Sequence, residues 1–97
     1  MGTTMREQRI VAILNDLSIR VAELNTTMED LMDEFNHSRR ASMQIRKRAH
    51  ECIATADVAM CRFLAIARTN HFDEECALVK VFHRRRAKFN ELELFFH

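Results

Sequence analysis

The sequence predicts an all-α fold, and three observations carry that reading. Apolar residues recur at alternating three- and four-residue spacing from Ile10 to Ile66. A second stripe in a different phase runs Leu78, Phe82, Phe89, Leu92, Phe96. There is no Pro, and the one Gly stands at position 2, so hairpins and phosphate loops lack their usual residues. A sandwich, a barrel, a Rossmann unit and a P-loop are thereby disfavoured. At 97 residues the chain is expected to form one helical domain over 1–97, with little room for a catalytic cleft. Charged residues at 30% and apolar ones at 47% fit neither a disordered tail nor a membrane protein. The net charge of +1 offers no bulk attraction to nucleic acid.

The first element is expected to be a long coiled-coil helix over about 5–69. With Leu14 as position a, the a set is Leu14, Val21, Met28, Phe35, Ser42, Ala49, Ala56 and Phe63. The d set is Ile10, Leu17, Leu24, Leu31, Ser38, Ile45, Cys52, Ala59 and Ile66. An alternative breaks this helix near 36–38, at the mediocre helix formers Asn36, His37 and Ser38, and folds the chain as a three-helix bundle. The helix macrodipole favours continuity. A break would end one helix on Glu29, Asp30, Asp33 and Glu34 and start the next on Arg39 and Arg40, both with the wrong sign. Unbroken, the rod would measure roughly 100 Å at 1.5 Å per residue.

The seam fails where it would fall on Asn70 and Asp73, which places a turn there. Arg68 closes one helix; Asp73, a competent N-cap, opens the next with Glu74 and Glu75. A shorter antiparallel helix over about 73–96 follows, setting Phe82 opposite Cys61 and Phe89 opposite Ala54 and Ala56. The chain thus divides into an N-terminal coiled-coil segment, 5–40, and a C-terminal helical hairpin, 41–97.

A brief second helix leaves the N-terminal stripe uncovered. Exposing Ile10, Leu14, Leu17, Val21, Leu24, Met28, Leu31 and Phe35 would forfeit on the order of 10–20 kcal/mol. On the continuous reading these residues form a partner interface, and Phe95, off the hairpin stripe, is a further contact. The a positions vary too much in size for a plain parallel zipper, so a hetero-oligomer with other helical subunits is expected over a homodimer. The expected function is a non-enzymatic structural or adaptor subunit that assembles through coiled-coil pairing, without cofactor or small-molecule substrate. A compact three-helix-bundle adaptor is the alternative.

Candidate chemistry is sparse. None of the five histidines pairs with a cysteine at helical metal-ligand spacing. Cys52, Cys61 and Cys76 are expected to be reduced, mostly buried packing residues in a reducing compartment, cytoplasmic by default, with nucleus or organelle matrix as alternatives. No stretch suits a membrane span, and Met1–Arg6 fits neither a signal peptide nor a myristoylation pattern. Two basic clusters, Arg39, Arg40, Arg46 and Lys47, then Arg84, Arg85 and Arg86, are candidate anion contacts. A basic helical RNA- or DNA-binding protein is the corresponding alternative function. Finally, Arg39-Arg40-Ala41-Ser42-Met43 resembles the substrate motif of basophilic kinases such as cyclic-AMP-dependent kinase, making Ser42 a candidate phosphosite. On the seam of a continuous helix, a phosphate there would push an interface apart.

Overall fold

A computed structural model describes residues 4–97. Met1, Gly2 and Thr3, on which the signal and myristoylation readings partly rest, lie outside the described residues. Three α-helices account for the fold: α1 (Met5–His37), α2 (Ser42–Thr69) and α3 (Ala77–Leu94). A single 3-10 turn, Arg39–Ala41, joins the first two. The all-α class is as expected; the unbroken helix over 5–69 is not, and the arrangement is the three-helix alternative.

The start of α1 is capped by Thr4, whose Oγ1 accepts the Glu7 N–H at 3.1 Å. Its end comes at Ser38, which swings to φ −142°, ψ 95° while its N–H still reaches the Glu34 carbonyl at 2.9 Å. The break is a matter of magnitudes. Each misplaced helix-end charge costs at most about 1 kcal/mol. Burying the α1 stripe against the chain's own α2 recovers on the order of ten times that. One of the misplaced charges also finds a partner, because folding back brings Arg48 within 3.3 Å of Glu34. Arg46 likewise settles over the Phe35 ring, 5.2 Å from its centroid.

The α2 end is a Schellman motif. The Phe72 N–H reaches Ala67 O at 2.9 Å and the His71 N–H reaches Arg68 O at 3.3 Å, with His71 in the left-handed region at φ 60°. Asp73 does cap, but a turn and not the helix: its Oδ1 accepts the N–H groups of Glu75 and Cys76, and α3 begins four residues later than expected.

α1 and α2 run antiparallel, and α3 returns parallel to α1, in a rod of 58 × 19 × 17 Å. Backbones approach closely between α1 and α2, where Ala49, Cys52, Ala56 and Ala59 are small, and between α1 and α3. α2 and α3 stand farther apart and meet through large side chains. Phe82 therefore faces Phe63, stacked at 3.7 Å between centroids and 6° between planes, and not Cys61, which is exposed. Ala54 is likewise exposed, so Phe89 does not pack on it. Within 41–97, α2 and α3 form a helical hairpin, and each of the two also packs along α1.

Candidate functional site

The stripe expected to meet a partner is the bundle's own core. Leu14, Val21, Leu24, Met28 and Leu31 are buried; Ile10, Leu17 and Phe35 are partly buried against the same cluster. The premise that the remaining chain cannot shield them fails, because α2 folds back along α1 where a straight helix would run away from it. Phe95, the other expected contact, stays 37% exposed and packs edge-on against Phe35 (5.6 Å) and Phe96 (5.0 Å), closing one end of the rod.

The basic residues disperse. Arg85 is a structural residue: its guanidinium donates to Ser18 Oγ at 2.8 Å, and its own carbonyl accepts from Asn25 Nδ2 at 3.1 Å. Ser18 and Asn25 are both buried, and Asn25 Oδ1 has no hydrogen-bond partner. Arg46 lies over Phe35; Lys80 pairs with Glu75 and Lys88 with Glu29. Arg39, Arg40, Lys47 and Arg84 are exposed, while Arg86 is half-buried. The 84–86 group sits about ten residues, roughly 15 Å, along the rod from the 39–47 group, so the two do not merge into one phosphate-tracking stripe.

The cysteines differ from one another. Cys52 is buried, with its Sγ 3.7 Å from the Leu24 carbonyl; burial pushes its thiol pKa up, against a smaller opposing pull from Arg20. It is a packing residue with no thiolate to offer. Cys76 is half-buried just ahead of α3, and Cys61 lies in solvent, contrary to the expectation of burial. Among the described residues no three or more His, Cys, Asp or Glu side chains converge as a metal site would require. His83 Nε2 lies 3.0 Å from Glu74 Oε2 without an aligned hydrogen bond.

Among the surface clefts of the bundle is a groove between α1 and α2. Leu17 and Arg20 on one side and Thr55, Val58, Ala59 and Arg62 on the other enclose about 330 Å³. Ser18, which faces α3, is two residues from Arg20 and so about 200° around α1, which puts the groove on the flank that α3 does not cover. Val58 is 54% exposed, and Ile13, one turn before Leu17 on the same face, is 47% exposed. Sequence reasoning missed this surface because Val58 and Ile13 lie off the a and d positions; their signal was being β-branched and apolar beside the seam.

No family model, no curated protein and no solved structure matches this chain. No helix among the described residues is long and apolar enough to cross a membrane.

Proposed function

We propose that the protein is a non-enzymatic helical adaptor, a three-helix bundle that takes one helix of a partner protein into its α1–α2 groove. The observation that carries this is Val58, 54% exposed on a groove floored by Leu17 and Ala59, with Ile13, 47% exposed one turn before Leu17, extending the apolar surface along α1. A fourth helix laid there would complete a four-helix section by the packing already used between α1 and α2. Arg20 and Arg62 stand on the two rims, so the expected occupant is an amphipathic helix with acidic residues flanking its apolar stripe. Arg20 already meets Glu23 at 3.4 Å, an exposed pair that contributes little and is readily exchanged. A partner of different sequence, and with it a hetero-oligomer, follows from that charge preference. Three free thiols, one of them in solvent, suit a reducing compartment such as the cytoplasm.

A photo-crosslinking residue placed at Val58 of the full chain in cells tests the reading, with Thr26, on the opposite side of α1, as control. The adduct at Val58 is expected to map to a segment of another protein with three- and four-residue apolar spacing. Ile13→Glu should abolish it while leaving the bundle's melting within about 0.5 kcal/mol, as for a surface change. An adduct to a second copy of this chain, or equal labelling from Thr26, overturns it.

A further inference from the structure

The joint between α1 and α2 has an electrostatic defect. α2 starts at Ser42 after Ala41, which has no side chain to cap it, and its first turn holds no acid. Arg39, Arg40, Arg46 and Lys47 surround that positive helix end with more positive charge. The same residues spell Arg39-Arg40-Ala41-Ser42-Met43, with arginines three and two places before a serine and an apolar residue after it. None of the chain's other serines or threonines has that context.

The fold leaves this motif accessible. From Asn36 to Gln44 no residue is buried; the nearest buried side chain is Ile45. Ser38 is already extended and residues 39–41 form only a 3-10 turn, so straightening the motif into an enzyme's cleft opens that turn and the start of α2 and withdraws from the core's edge only the Ala41 methyl. Ser42 and Arg39 also line one surface cleft of about 340 Å³ with Phe35 and Asn36, which gives a phosphoryl group room beside a guanidinium.

We propose that Ser42 is a phosphorylation site for an arginine-directed serine kinase, and that the phosphate strengthens the α1–α2 joint. In the step, Ser42 Oγ attacks the γ-phosphorus of ATP and the bond from that phosphorus to the β,γ-bridging oxygen breaks. ADP leaves, and the hydroxyl proton passes to the kinase's base. The product places about two negative charges where the helix end and the arginines lack an anion. On a continuous helix the same charge would have split a seam; at this joint it fills a gap.

The folded full-length chain is to be incubated with ATP and the catalytic subunit of cyclic-AMP-dependent kinase, beside Ser42→Ala and Arg39→Ala/Arg40→Ala variants. Both variants alter only exposed or half-buried side chains, and melting curves check that they remain folded. One phosphoryl group per chain is expected, mapping to Ser42, absent from Ser42→Ala and entering the double variant about tenfold more slowly or less. The modified chain should melt a few degrees higher at low salt, with the gain shrinking as salt is added. Incorporation only into urea-unfolded chain, labelling at Ser38 in place of Ser42, or a modified chain that melts no higher overturns the proposal.

Discussion

Arg85 of α3 donates a 2.8 Å hydrogen bond to Ser18 of α1, joining residues 67 positions apart. Together with the Asn25 amide on the Arg85 carbonyl, it ties one residue of α3 to two positions seven residues, about two turns, apart on α1. Apolar packing alone would let α3 slide by a turn along α1, since ridges repeat every three to four residues. A buried hydroxyl and a buried amide each need a specific partner, so slippage leaves both unpaired.

Ser18→Ala should therefore destabilise the bundle by about 1 kcal/mol, reduced from the usual value for a charged hydrogen bond because Arg85 is only partly buried. Arg85→Ala should cost slightly more, since its half-buried stem also packs. A double-mutant cycle in urea should show the two losses overlapping by about 0.5 kcal/mol or more. Strictly additive losses would mean that the contact does not form in solution.

His71 holds φ 60° in the Schellman motif that ends α2, a conformation that disfavours any residue with a Cβ by about 1–2 kcal/mol. Its side chain is exposed, so little packing is lost by removing it. After allowing for the greater unfolded freedom of glycine, His71→Gly should stabilise the protein by about 0.5–1 kcal/mol, a rise of roughly 2–8 °C in Tm. An unchanged or lowered Tm would place His71 outside the left-handed region.

Periodicity revealed the core, because Leu14, Val21, Leu24, Met28 and Leu31, then Ile45, Ala49, Cys52, Ala56, Ala59 and Phe63, all occupy seam positions and are all buried, with Leu17 partly buried among them. Phase could not tell whether the seam faced another molecule or the chain's own next segment, since both satisfy the same spacing. Local charge argued against the break at Ser38, and its error lay in weighing Glu34 as a helix-end charge in isolation when the fold gives it Arg48 as a neighbour. The α1–α3 contact was hidden for another reason. Ser18 and Asn25 are polar, and a reading that looks for apolar rows passes over the row 14-18-21-25-28 in which they sit. The groove lined by Leu17 and Val58 depends on where α3 does not lie, a tertiary fact with no local signature.

Burial raises the Cys52 thiol pKa above that of the unfolded chain, so the folded state keeps a proton that the unfolded state gives up. The stabilisation is full below the ordinary thiol value and is lost as pH rises above it toward the folded value. Wild-type Tm should fall between pH 8 and 10 more than that of Cys52→Ala, in which the linkage is absent. Disulfide reagents such as Ellman's should titrate Cys61 at once and Cys52 only on unfolding. Equal reactivity of the two, or parallel pH profiles, would contradict the buried thiol.

The fold-back at Ser38 has a distance signature. Arg20 and Thr55 line opposite sides of one groove, and both are exposed, so spin labels on them should leave the core intact. A continuous helix would separate these positions by 35 residues, roughly 52 Å at 1.5 Å each. Antiparallel helices at ordinary interaxial spacing bring their backbones to about 10 Å, and the labels to somewhat more. Pulsed electron paramagnetic resonance should find one narrow short distance at micromolar concentration, unchanged when labelled chain is diluted tenfold with unlabelled chain. A distance near the longer value would restore the rod and return Leu14, Val21, Leu24, Met28 and Leu31 to a partner. A short distance that disappears on dilution with unlabelled chain would mean that α1 and α2 pair between molecules, by exchange of the helices across the joint.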